Sequence, residues 1–163
     1  MILTRFVYAA AMTRARSDKV RLATDAWRRI FDFVVATAGH RNKVLARLGL
    51  TPNDARALSS LDPVVGRTMR SLANEWEIDA STATWIVDRL ETKGLAERRS
   101  HATDRRVKLV ILTPAGTQTK DQLRVGTYAP PPELLVMDND DLAALRDAAA
   151  KLPHPPEGTD SIS

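Results

Sequence analysis

Residues 81–116 read STATWIVDRLETKGLAERRSHATDRRVKLVILTPAG, and this stretch changes period in its middle. Up to Lys93 the apolar residues Ala83, Ile86, Val87 and Leu90 recur at spacings of three and four, the mark of an amphipathic helix. Gly94 closes that helix. Beyond it, Leu95 to Ser100 and Val107 to Leu112 read as two strands, the second rich in β-branched residues, with His101-Ala102-Thr103-Asp104 as a polar tip between them. The stretch therefore predicts a helix over 80–93 followed by a charged β-hairpin.

Upstream of this stretch, Thr68 to Trp76 places Met69, Leu72, Ala73 and Trp76 on one face. A break at Glu77, Ile78 and Asp79 separates this helix from the next. Two short helices joined by so short a turn form a helix-turn-helix pattern. Thr51-Pro52 starts a preceding helix that runs to about Leu61, with threonine as cap and proline at the first helical position. Residues 17 to 48 read as one helix with a wide apolar face through Val20, Ala23, Trp27, Ile30, Phe31, Val34, Val35 and Ala38. Gly39 is the expected bend. Thr113-Pro114 opens a helix to about Arg124, and Gly126 and Pro130 to Pro132 break it. Asp138 caps a last helix over 139–152, and residues 153–163 have the composition of a disordered tail. The fold class is mainly α with a small β-hairpin wing.

Charge is unevenly spread. Residues 1–50 carry ten basic and three acidic side chains, and residues 81–108 carry seven and four. Residues 109–163 carry four basic and eight acidic, so the last helix is expected to pack near the basic N-terminal helix, within or across subunits. A local basic cluster fits either a polyanion partner or a solvated surface. The hairpin favours the first. Arg98, Arg99, Arg105, Arg106 and Lys108 crowd a small ribbon, and their repulsion is relieved by an anion as dense as duplex DNA. Asp104 can pair with an arginine there and aim its neighbour. On the helix, Ser81, Thr82, Thr84, Trp85, Asp88 and Arg89 fall outside the core face. The hydroxyls near its N-terminus suit phosphate, and Arg89 reaches a phosphate or a guanine edge.

Other chemistries find little support. The chain has no cysteine, and its histidines, His40, His101 and His154, are scattered, so no metal site and no cofactor are expected. No nucleophile motif, carboxylate pair or phosphate loop points to catalysis. The N-terminus MILTRFVYAAAM lacks a basic leader region, no apolar run reaches the length of a membrane span, and a cytoplasmic location is expected.

Three stretches together resemble the MarR family of bacterial regulators. They are Leu72-Ala73, then STATWIVDRLETKGLAERR over Ser81 to Arg99, then DRRVKLVILTPAG over Asp104 to Gly116. The Leu-x-x-x-Gly-Leu junction, the Asp-x-Arg wing and the Leu-Thr-x-x-Gly exit stand in order. The resemblance implies a homodimeric regulator, a ligand-responsive repressor on a pseudo-palindromic duplex. It implies an N-terminal extension over 1–16, a helical dimerisation region over 17–50 and 114–152, and a winged helix-turn-helix over 51–113. It puts Ser81, Thr82, Thr84, Trp85 and Arg89 on the DNA face, with Asp104 orienting the wing and Arg106 entering the minor groove. It further implies a small aromatic effector, for which Trp27, Phe31, His40 and Arg41 are the candidate pocket residues; dimer core is the other reading of Trp27 and Phe31. The sequence departs from the family at Trp85, where a basic or polar residue is frequent, and at Pro130 to Pro132. The rival reading is a winged-helix module that binds protein without binding DNA.

Overall fold

The structure is a computed structural model that describes residues 2–101 and 103–153, with side chains from Arg16 onward. His154 and all but the first residue of the expected tail lie outside the described residues.

Residues up to Ala129 form one compact unit, in the order α1 (Ile2–Ala36), α2 (Ala38–Arg47), α3 (Pro52–Ser60), β1 (Arg67–Thr68), α4 (Met69–Trp76), α5 (Ala80–Thr92), β2 (Ala96–Ser100), β3 (Lys108–Leu112) and α6 (Pro114–Tyr128). The segment from Pro130 is a second unit, in which a 3-10 turn over Pro132–Val136 precedes α7 (Asn139–Ala149).

Caps explain most of the helix starts. Thr51 and Asp54 form a reciprocal box: the Asp54 N–H donates to Thr51 Oγ1 at 3.2 Å, and the Thr51 N–H donates to Asp54 Oδ2 at 2.9 Å. Thr68, Asp79, Thr113 and Asp138 each accept the N–H three residues on, so every one of these helices has one orphan donor satisfied from within. Glu77 ends α4 in the left-handed region at φ 55°, which makes the sharp turn into α5.

The core is the helix-turn-helix and the sheet beneath it. Leu58 and Leu61 meet Leu72 and Trp76 of α4, then Ala83, Ile86, Val87 and Leu90 of α5, and finally Val110 and Leu112 of β3. All four predicted core residues of α5 are buried. Trp76 buries its ring and satisfies its indole N–H on Ser60 Oγ at 2.9 Å.

The hairpin is not a free ribbon. The sheet is antiparallel in the order β1-β3-β2, with Ala96 opposite Leu112, Ser100 opposite Lys108 and Arg67 opposite Val110. The two-residue β1 is too short to show a period, so the sequence conceals it. Gly66 lets it approach, because a Cβ there would sit 2.7 Å from the Leu109 Cβ.

Several expected boundaries move, among them the start of the N-terminal helix, which lies at Ile2 and not at residue 17. The long N-terminal helix breaks at Thr37 and not at Gly39. Thr37 Oγ1 donates to the Phe33 carbonyl at 2.7 Å, back-bonding in competition with the helix ladder. Gly126 does not break α6, which runs on to Tyr128. A Cβ at Gly126 would lie 2.6 Å from Val44 Cγ1, so this glycine is where α6 packs closely on α2.

Candidate nucleic-acid interface

The exposed side of α5 begins with a self-contained anion. The Asp79 carboxylate accepts from the Ser81 hydroxyl, the Thr82 hydroxyl at 2.6 Å and the Thr82 N–H at 2.9 Å. These bonds, the Ser81 hydroxyl first, hold its carboxyl well below the usual carboxylate range. Thr84 Oγ1 donates back to the Ala80 carbonyl at 2.8 Å. The hydroxyls that the sequence reading aims at phosphate thus give their protons to the protein, and the positive end of the helix dipole meets Asp79 first.

Trp85 is 53% exposed and is the large apolar side chain on this face. Arg89 lies behind it, its guanidinium 4.9 Å from the indole ring centroid. The expectation that Arg89 reaches outward is corrected here: its Nη2 sits 2.8 Å from Oδ2 of Asp54, which is fully buried. Lys93 Nζ stands 3.8 Å from the same oxygen and also donates to the Gly49 carbonyl. Asp54 was missed in the sequence. Its signal was the Thr-x-x-Asp spacing of a capping box, but the partner lies 35 residues away.

The hairpin divides its cations into two groups. Arg98 is half-buried and bridges α5, with Asp88 at 2.8 Å and Glu91 also bonded. Arg99 pairs with Glu97 on its own strand. At the tip, Arg105 and Arg106 are exposed, and among the described residues neither has a carboxylate within ion-pair distance. Lys108 donates to Ser100 Oγ at 2.7 Å and likewise has no acidic partner among the described residues. Asp104 does not grip an arginine side chain, as the sequence suggested. Its Oδ1 accepts the Arg106 backbone N–H at 3.0 Å, and its carbonyl accepts the Val107 N–H at 3.0 Å. A short side chain satisfies the turn's own backbone more readily than it reaches a long neighbour. Asp104 therefore shapes the tip and leaves Arg105 and Arg106 unneutralised.

Two further features lie away from this face. Val20, Leu22, Trp27, Ile30, Phe31, Val34 and Val35 of α1 are between 44% and 72% exposed, an unusually long apolar stripe to leave in water. Trp27 and Phe31 stack within it at a 6.1 Å centroid distance. A cavity of about 490 Å³ opens between α2, α3 and α6. Arg41, Arg56, Lys120 and Arg124 line it with Leu45, Leu123 and Tyr128, and no carboxylate joins them. Of the four expected pocket residues only Arg41 lines this cavity. Trp27 and Phe31 face outward on α1, and His40 keeps a buried Nε2 that makes no hydrogen bond.

Among the described residues, no group of three or more potential ligands could hold a metal ion, and no helix is long and apolar enough to cross a membrane. The sequence pattern of the MarR family matches residues 48–107, from the end of α2 to the wing tip. This stretch is similar to the MarR family of regulators. The helix-turn-helix, the sheet and the arginine-bearing tip described above make a winged-helix fold, the fold of the solved MarR-family structures. Over 77 residues the chain is 30% identical to the HTH-type transcriptional regulator MhqR of Bacillus subtilis (strain 168), a stretch that covers 47% of this chain and 53% of that protein. The match thus spans about half the length of that regulator. Wild-type MarR from E. coli, solved in its apo form, superimposes with a TM-score of 0.60 at 26% identity, covering 77% of this chain and 96% of that one. The S. aureus MepR–DNA complex superimposes with a TM-score of 0.56 at 20% identity, covering 78% and 98%, which speaks for the MarR fold alone.

Proposed function

We propose that this chain is a member of the MarR family, a homodimeric, sequence-specific DNA-binding transcription regulator that acts in the cytoplasm as a ligand-responsive repressor. The observation that carries this reading is the pair of unneutralised arginines, Arg105 and Arg106, at the end of a sheet braced on three strands beside the exposed face of α5. The other two hairpin arginines, Arg98 and Arg99, are paired with carboxylates, so a tip left bare points to an anion from outside. The wing meets phosphate and the adjacent minor groove through these two residues and Lys108, while Trp85 faces base edges in the major groove. Ser81, Thr82 and Thr84 border the same face; Arg98 and Arg99 stand behind it.

The α1 stripe supports the homodimer, since burying it against a second copy removes a run of aliphatic and aromatic surface from water. A two-fold dimer sets its recognition helices about 34 Å apart, so the target is a pseudo-palindrome with half-sites one helical turn apart. The cationic cavity suits a small aromatic carboxylate or phenolate, with the ring against Leu45 and Leu123 and the anion among the arginines.

The test is selection of bound duplexes from a random pool, with salt titration of the winners and repetition in the presence of aromatic acids. Enrichment of a pseudo-palindrome, with affinity falling steeply as salt rises, is the expected outcome. Retention of no duplex even at low salt would sink this reading and favour a protein partner for the Trp85 face.

A further inference from the structure

Asp54 is the most tightly enclosed charge of the described chain. It is fully buried on the first turn of α3, and its Oδ1 makes no hydrogen bond. All its compensation passes through Oδ2, which takes the Thr51 N–H at 2.9 Å, Arg89 at 2.8 Å and Lys93 at 3.8 Å. A capping box needs none of this enclosure, since such carboxylates ordinarily lie at the surface. Burying a carboxylate is unfavourable unless a cation faces it closely, so the Arg89 contact is what lets Asp54 remain inside. Arg89 comes from the helix whose outer face carries Trp85, and its guanidinium lies over that indole at 4.9 Å.

We infer that Asp54 is a positioning residue for DNA recognition: by holding Arg89 it keeps that cation from the phosphates and fixes Trp85 as the side chain that α5 presents to base edges. The inference rests on the duplex-binding reading above. An arginine released on this face would be drawn to the nearest phosphate, and that contact adds affinity without regard to sequence. A held indole behaves differently, because its contact with a thymine methyl depends on the base. The Asp54–Arg89–Trp85 chain therefore exchanges one sequence-blind contact for a base-dependent one.

The experiment compares wild type, Asp54→Asn, Arg89→Gln and the double variant on the selected duplex and on random duplex across a salt series. Asp54→Asn is expected to bind random duplex more tightly, with the selected-to-random ratio falling about tenfold. Its salt dependence steepens by about one counterion as Arg89 finds a phosphate. Arg89→Gln lowers the ratio without steepening the slope, and Asp54→Asn adds nothing further in its presence. An unchanged ratio and slope in Asp54→Asn overturns the inference. So does a wild-type ratio in Arg89→Gln, which decides the matter if Asp54→Asn fails to fold. A second measurement needs no DNA: with fluorinated tryptophan, the Trp85 resonance, assigned with Trp85→Phe, shifts in Arg89→Gln and in Asp54→Asn. An unmoved resonance shows that the chain does not hold the indole. Absence of duplex binding by the wild-type protein would instead remove the DNA reading itself, and is seen before any variant is made.

Discussion

Arg89 and Arg98 at the base of the α5–wing surface carry the same charge as Arg105 and Arg106 at its tip, in opposite surroundings. The first pair is half-buried and faces Asp54, Asp88 and Glu91. The second pair is exposed and, among the described residues, faces no carboxylate. A basic count over residues 81–108 treats the four as equal. The geometry separates arginines that hold the protein to itself from arginines that face solvent, and on the proposed function the two groups should fail differently when removed.

The largest effect is expected at the tip. Replacing both Arg105 and Arg106 by alanine should weaken binding to every duplex alike and reduce the salt slope by about two, one for each lost phosphate contact. The thermal midpoint should stay where it is. Fluorescence anisotropy over a salt series, alongside calorimetry, checks both halves, and a collapse in stability with intact binding would reverse the assignment.

Arg98→Ala should show the converse. Asp88 and Glu91 lose their shared cation, at a cost of about 1 kcal/mol once partial exposure is allowed for, while the salt slope holds. A flatter slope in this variant would move Arg98 into the group that meets DNA.

A third test concerns the charge at the start of α5. The folded-state carboxyl of Asp79 titrates below its unfolded value, so its contribution is complete above the ordinary aspartate range and is lost progressively as pH falls from that range toward the lower folded-state value. Wild type should therefore lose stability relative to Asp79→Asn below pH ~4, with the two tracking each other from pH 5 to 8. Thermal unfolding at stepped pH measures the difference; parallel curves throughout would mean that the cap does not depend on charge.

The smallest effect belongs to Arg99→Ala. Its pair with Glu97 is exposed, and a change within about 0.5 kcal/mol is expected. A lost counterion in its salt slope would extend the bare tip down the strand.

The sequence showed the fold wherever local chemistry decides it. Thr51-Pro52, Thr113-Pro114 and Asp138 start helices because their side chains and rings act within four residues. The buried face of α5 follows from its period alone. What escaped depends on contacts distant in sequence. Gly126 reads as a breaker until Val44 is seen against it, and β1 is a strand only because β3 lies beside it. At the candidate site, the residue types on α5 and the wing were legible, but their commitments were not. Arg89 and Arg106 look equally available as letters, and only the fold brings Asp54 to one of them. Asp104 reads as a partner for an arginine side chain, and in the fold it caps the turn's backbone instead, since the sequence cannot say whether a turn aspartate spends itself on the backbone.

The junction at Leu95 has a mechanical consequence. Its N–H bonds to the Leu90 carbonyl at 2.8 Å, its carbonyl accepts the Thr113 N–H at 3.1 Å, and Gly116 of α6 lies so close that a Cβ there would stand 1.8 Å from that carbonyl oxygen. The end of α5, the root of the wing and the head of α6 are riveted at one residue. Little hinge remains among them, so a tilt of α6 would swing the arginine tip as a stiff arm, and small rotations at the root would become larger excursions at the end that carries Arg105 and Arg106.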